Sequence, residues 1–286
     1  MAKDIKALRK RIKSFDSTLH LTGAMGLVAS SKMRKATDAM LEGRKYLAAI
    51  SDIVDDLVKC PECKKSVFFK DSSVTEDGDS KGVSRLIVIA GDRGLCGGYN
   101  ANVFRMVRDM GDFDVVPIGK RAFDRYTDDD LSDFDPDYKR DFDSSEYYEF
   151  DMAMELALKC IDDYKSGKIS RVGIVYNKYV SIMTQEPQVK WILPLEKPSE
   201  DKPDGGIYEP EPLTLLEDIM PQYFAGVLYS LVKESFACEV AARRMAMDSA
   251  TKNATEMIDN LTLEYNRVRQ GKITQEITEI VAGAGK

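Results

Sequence analysis

The sequence predicts an α/β protein: a long antiparallel coiled coil of its N- and C-terminal helices carrying a small central α/β domain. Three observations predict it. An uncharged heptad seam runs from Ile5 to Leu57, a second runs from Leu228 to Ala284, and between them lie short apolar runs bounded by turn residues.

The first seam steps by alternating threes and fours through Ile5, Leu8, Ile12, Phe15, Leu19, Thr22, Gly26, Ala29, Met33, Ala36, Met40, Gly43, Leu47, Ile50, Val54 and Leu57. Thirteen of these sixteen positions are apolar and none is charged, so one face of a helix is apolar throughout. No proline precedes Pro61, so nothing interrupts it. Such a helix extends roughly 80 Å at 1.5 Å per residue, far beyond the length of an ordinary globular helix.

The C-terminal part behaves alike, with Pro221 its last proline. Leu228, Leu231, Ser235, Cys238, Ala242 and Met245 form one seam. Met247, Thr251, Ala254, Ile258, Leu261, Tyr265 and Val268 continue it after a phase shift, and Ile273, Ile277, Ile280 and Ala284 finish it. Many seam residues are small, which lets helices approach closely or unwind locally where the phase shifts. The two helices most simply bury their seams against each other, antiparallel. A parallel homodimer through each helix is the alternative that the pattern leaves open.

Between the helices the period changes. Ser84–Ala90 reads as a buried strand, followed by the turn GDRGLCGGYN and a helix from Asn100 to Met110. Val115–Ile118 is a second strand, Tyr147–Lys165 a helix and Arg171–Tyr176 a third strand, with Ser181–Met183 and Val189–Leu193 at a sheet edge. Strands alternating with helices predict a Rossmann-like α/β layer structure. The domain plan is then a helix over 1–60, a linker over 61–82, the α/β domain over 83–195, a linker over 196–212 and a helix over 213–286.

Charge is unevenly spread. The chain carries a net −7, yet residues 1–45 hold 11 Lys/Arg against 4 Asp/Glu. A basic arm on an acidic body suits an anionic partner or a solvated helix face, and the acidic body disfavours nucleic acid as that partner. No apolar stretch is long enough to span a bilayer, and MAKDIKALRKRIKS has no apolar run behind its charges, so neither a membrane span nor a secretory signal is expected. Five cysteines and one histidine, His20, give neither a disulfide framework nor a complete zinc site.

Three local motifs invite chemistry. The turn Gly91, Asp92, Arg93, Gly94, Gly97, Gly98 follows a strand and opens a helix, where phosphate binds in other proteins. It lacks Gly-Lys-Ser/Thr, fails the spacing of Gly-x-Gly-x-x-Gly, and Asp114 precedes the second strand instead of ending it. A structural turn with no direct nucleotide binding is therefore expected. Residues 124–151 contain twelve acids, but without the glycine and terminal glutamate of a calcium loop they read as a solvated acidic segment. Cys60 and Cys63 form a CPEC pair at the end of the first helix, the wrong end of the dipole for an activated thiol, which leaves inert thiols or half of an intermolecular metal site. No catalytic residue, cofactor site or intramolecular metal site is expected.

Three segments strongly resemble the γ subunit of F-type ATP synthases: LTGAMGLVASSKMRKA at Leu21–Ala36, GDRGLCGGYN at Gly91–Asn100, and ATKNATEMIDNLTLEYNRVRQGKITQEITEIVAGA at Ala250–Ala284. YNKY at Tyr176–Tyr179, LPL at Leu193–Leu195 and YEP at Tyr208–Pro210 join them in the same order. The likeness spans essentially the whole chain and is loosest over 59–81 and 124–149.

The resemblance implies a non-catalytic rotor shaft that couples ion-driven rotation of a membrane c-ring to ATP synthesis or hydrolysis at the β subunits. Its partners would be the α and β subunits of the catalytic ring, the ε subunit and the c-ring. Met25, Arg269 and Gln270 match residues that engage β in the family. Arg44 and Lys45, with Tyr208 and Glu209, match its c-ring contacts by position. Gly23 stands where the family often has lysine, and Arg244 follows Arg243 where it usually has methionine. The CPEC pair is not at the position of the chloroplast redox insert. With no transit peptide, the resemblance implies a bacterial protein, peripheral to the cytoplasmic face of the plasma membrane.

Overall fold

A computed structural model describes residues 2–69, 83–111, 113–126, 144–196 and 208–284, with only the backbone of 2–4 and 284. The elements, in order, are α1 (Ala2–Lys59), β1 (Val83–Ile89), α2 (Tyr99–Met110), β2 (Asp114–Ile118), α3 (Lys120–Tyr126), α4 (Phe150–Lys165), β3 (Ile169–Tyr179), β4 (Gln185–Leu193) and α5 (Pro212–Ala284). The chain divides into two compact units, the smaller formed by residues 1–31 and 243–286, the larger by 32–242.

In the smaller unit the heptad reading holds as far as Val268 and fails beyond it, where Ile273, Ile277 and Ile280, expected to finish the buried seam, are exposed. Leu8, Thr22, Gly26 and Ala29 of α1 are buried, as are Met247, Ala254 and Leu261 of α5. The Thr251 hydroxyl donates to that of Thr22 at 2.8 Å, and a Cβ on Gly26 would lie 3.5 Å from Asp248 Oδ1 and 3.7 Å from Met247 Cβ. Residue numbers therefore rise on one helix as they fall on the other, which makes the pair antiparallel within one chain. The homodimer alternative is not needed to bury these seams.

The larger unit is built on a four-stranded sheet ordered β2-β1-β3-β4. β1 pairs parallel with β2 and β3, and β4 returns antiparallel to β3. As the central strand, β1 is covered on both faces, which is why Leu86–Ile89 is continuously apolar. Leu86, Val88, Val115 and Val175 pack against Val103 and Val107 of α2. Ile87, Ile89, Val116, Ile118 and Ile174 face α4 and, beyond it, Leu216–Val232 of α5 and Val54–Val58 of α1.

Three other features depart from the sequence reading. Residues 181–183 are not a strand but the tight turn between β3 and β4, closed by Thr184 N–H donating to the Ser181 carbonyl at 3.2 Å. Residues 63–69, expected in a linker, form two 3-10 turns whose Phe68 and Phe69 are buried in the core. Helix α3 has no counterpart in the reading, because its seven residues carry too few apolar positions to show a period. Helix α5 begins with Pro212 at its first position, where the missing N–H costs nothing, and Pro221 lies inside it. Most of the acidic segment, 127–143, and residues 70–82 and 197–207 of the two linkers lie outside the described residues.

Arg85 is the largest fully buried side chain. Its guanidinium donates to Asp114 and to Asp163, each at 2.6 Å, and so ties β1 to β2 and α4. Burial opposes the charge, but Cys160 and the two carboxylates outweigh it and hold the guanidinium firmly protonated.

Candidate functional site

The glycine-rich turn after β1 closes on α5. Gly91 N–H donates to Asn100 Oδ1 at 2.9 Å, while Asp92 and Arg93 N–H both donate to the Glu239 carboxylate at 3.3 Å. A carboxylate of the chain itself thus occupies the amides that a phosphate would need. A Cβ on Gly91 would sit 2.7 Å from Glu239 Cδ, so only glycine allows the approach. Gly97 takes φ +60 within the turn. Gly119, at φ +89 beyond β2, leaves no room for a Cβ, which would fall 2.2 Å from the Ala90 carbonyl.

Asp92 carries the connection onward. Its carboxylate accepts from Ser144 Oγ at 3.0 Å, Ser145 N–H at 2.8 Å, Glu146 N–H at 3.0 Å and Lys120 N–H at 3.4 Å. Glu146 in turn forms an ion pair with Lys32 of α1. Below the turn, Tyr99 donates its hydroxyl to the Ser235 carbonyl at 2.8 Å, and Asn177 N–H donates to Ser235 Oγ at 3.0 Å. Burial pushes the Tyr99 phenol and the neighbouring Cys238 thiol well up, so both are neutral donors.

One turn of α5 earlier lies a second node. Glu234 accepts Arg44 Nη2 at 2.7 Å and Tyr179 N–H at 2.8 Å, and Arg44 also donates to the Tyr179 carbonyl at 3.1 Å. The side-chain hydrogen bond to Glu234 raises the Arg44 pKa against the opposing effect of burial. Glu234 and Glu239 are only 6% and 1% exposed. Sequence reasoning missed both, because a glutamate flanking a helix seam looks the same whether it meets water or another layer.

The other sequence-predicted residues fall in separate places. Lys45 and Glu209 are exposed and Tyr208 is half-buried in the larger unit; in the smaller, Met25 is half-buried and Arg269 and Gln270 are exposed. Near the end of α5, Ile273, Ile277, Ile280 and Val281 are 43%, 56%, 70% and 67% exposed. Cys60 and Cys63 are both buried and in no disulfide, and desolvation followed by Cys60 pushes Cys63 up to about 11, the opposite of an activated nucleophile. Among the described residues no group of three or more His, Cys, Asp or Glu is placed to hold a metal ion. No described helix is long and apolar enough to cross a membrane.

Comparison with known proteins gives one consistent result. A family model described as ATP synthase matches residues 4–285. The ATP synthase gamma chain of Ruminococcus albus is 40% identical over 289 residues, covering 97% of this chain and 96% of the relative. The sodium ion specific ATP synthase gamma chain of Acetobacterium woodii is 36% identical over 310 residues, covering 99% of each. A chain in the OSCP/F1/c-ring structure of Euglena gracilis mitochondrial ATP synthase superposes with a TM-score of 0.66 at 19% identity, over 99% of this chain and 94% of that one; at that identity the likeness speaks for the fold.

Proposed function

This chain belongs to the γ-chain family of ATP synthases, the central stalk and not the catalytic subunit, and from that membership we propose how its own residues serve the shaft. The end of α5 enters the ring of α and β subunits and turns there as a bearing. The observation that carries this is the exposed apolar stripe Ile273, Ile277, Ile280 and Val281, which sits on a helix with only Glu276 and Glu279 charged over the same stretch. Apolar side chains repeated along one helix and left in water mark a surface made for a partner.

Met25, Arg269 and Gln270 make contacts with β. An asymmetric shaft in a three-fold ring cannot meet all three β subunits alike, so each orientation favours a different state at each catalytic site. Rotation driven by ion flow then becomes a coupling free energy between the c-ring and those sites. At the other end, Lys45, Tyr208 and Glu209 meet the c-ring and the ε subunit packs beside the α/β domain. Arg44 already donates to Glu234 and Tyr179, so its part in that contact is to hold the surface in place. The protein would lie at the cytoplasmic face of a bacterial plasma membrane, peripheral to it through the c-ring.

The test is co-expression with α and β subunits, purification, and ATPase assay with and without this chain. The expected result is a stable complex whose sustained ATPase needs the chain and is lost on truncation after Asn266. A ring that hydrolyses ATP equally well without the chain would overturn the proposal.

A further inference from the structure

We propose that the turn Gly91–Arg93 and the buried carboxylates Glu234 and Glu239 form a clamp that fixes the rotational setting of α5 against the α/β domain, and so carries torque between them. The inference rests on the shaft reading above. It assigns positioning roles in coupling to Asp92, Glu234 and Glu239.

The sheet joins the two long helices through the chain only at residues 60–82 and 194–211. Every other restraint on α5 is non-covalent. From Leu216 to Val232 that restraint is mostly apolar packing. The hydrophobic effect has no preferred direction, so over this stretch it is the interlocking of side chains that opposes a turn of the helix about its own axis. Hydrogen bonds are directional and weaken steeply as their geometry is lost.

The directional contacts gather just past the large apolar cluster, at residues 233–239. Lys233 Nζ donates to the Tyr148 carbonyl at 2.7 Å, Glu234 holds Arg44 and Tyr179, Ser235 holds Tyr99 and Asn177, and Glu239 holds the turn. Glu234 and Glu239 are five residues apart, so on a helix of 3.6 residues per turn they point about 140° apart. Two anchors on different sides of one axis resist rotation in both senses. A single anchor would act as a hinge.

The clamp also closes on itself. From Glu239 it passes through Asp92 N–H and the Asp92 carboxylate to residues 144–146, then through Glu146 to Lys32 on α1. From Glu234 it reaches α1 directly at Arg44. Both helices are therefore gripped by the same layer. This gives the glycine-rich turn a use that nucleotide chemistry does not: it brings two amides onto a helix carboxylate at a distance that only Gly91 permits.

The experiment uses the complete membrane-bound enzyme with the full-length chain, reconstituted in liposomes. Glu239→Gln keeps the side-chain length but turns an amide group toward one of the two N–H donors. ATP hydrolysis should change little, while ATP synthesis against an imposed ion gradient falls about 2- to 10-fold relative to hydrolysis. With the catalytic ring held fixed, the thermal angular spread of a probe on the c-ring should widen. A purely stabilising role predicts a lower melting temperature, equal losses in both directions and an unchanged angular spread, and that result overturns the proposal.

Lys32→Gln breaks the ring of contacts at a half-exposed ion pair, so the core survives it. It should move the synthesis-to-hydrolysis ratio the same way by a smaller factor. If Glu239→Gln fails to assemble, an unchanged ratio in Lys32→Gln overturns the proposal by itself. Failure of the shaft reading would show differently, as a wild-type chain that confers no coupling at all.

Discussion

The α/β layer and the last two dozen residues of α5 treat the same residue types in opposite ways. Ile87 and Ile89 of β1 are fully buried on the α4 face of the sheet, whereas Ile277 and Ile280 of α5 are more than half exposed. Carboxylates differ likewise. Glu234 and Glu239 are buried and paired with N–H donors of α1, β3 and the glycine-rich turn, while Glu276 and Glu279 are exposed and meet near neighbours on their own helix, Lys272 and Gln275. A region that satisfies its apolar and polar groups internally can hold a fixed shape alone. One that leaves them open is shaped for a surface supplied by another chain.

Substitutions in the two regions should separate accordingly. The largest effect is expected at Arg85. Arg85→Ala leaves Asp114 and Asp163 partly buried without their cation, which costs about 3–5 kcal/mol. Urea unfolding of the isolated chain would show this as a lowered midpoint, and a shift under 1 kcal/mol would mean that water replaces the guanidinium and the layer is less closed than described.

The next effect is a pH dependence confined to the layer. Burial pushes the Cys63 and Cys160 thiols up to about 11, so their protons are held more tightly in the folded chain than in the unfolded one. That stability is fully present below the ordinary thiol pKa and is lost as pH rises through about 11, at about 2–3 kcal/mol for the fully buried Cys160. Unfolding midpoints measured from pH 8 to 11 should fall, and the fall should shrink in Cys160→Ala. A flat profile would refute the burial argument.

The smallest effect belongs to the end of α5. Ile280→Ala should change the stability of the isolated chain by no more than about 0.5 kcal/mol, because the side chain is already in water. The same substitution in the assembled complex should weaken retention of the chain, measured by dissociation on dilution. Equal small effects in both settings would erase the distinction between the two regions.

Legibility followed the range of the interactions. The sixteen seam positions of α1 could be read because a heptad needs only local spacing, and all are buried or half-buried. β1, β2 and β3 could be read because continuous apolar runs bounded by turn residues have few other uses. β4 was half legible: Val189–Leu193 carries the apolar signal, but the strand begins at Gln185, where pairing with β3 and not hydrophobicity makes it a strand. Phe68 and Phe69 were lost in a charged segment that gave no period.

The sequence by itself determined the two seams, the alternation of strands and helices between them, and through LTGAMG, GDRGLCGGYN and the C-terminal motif, the family. Only the tertiary structure decided which charges are buried. Arg44 reads as a cation on a basic helix and, by resemblance, as a c-ring contact, Arg85 as the polar edge of a strand, and Glu234 and Glu239 as solvated flanks of a seam. Each is paired with groups far away in the sequence, across 190 residues for Arg44 and Glu234 and 147 for Asp92 and Glu239. Hydrophobic patterning is set by neighbours along the chain, whereas the partner of a buried charge is chosen by the fold that brings distant residues together.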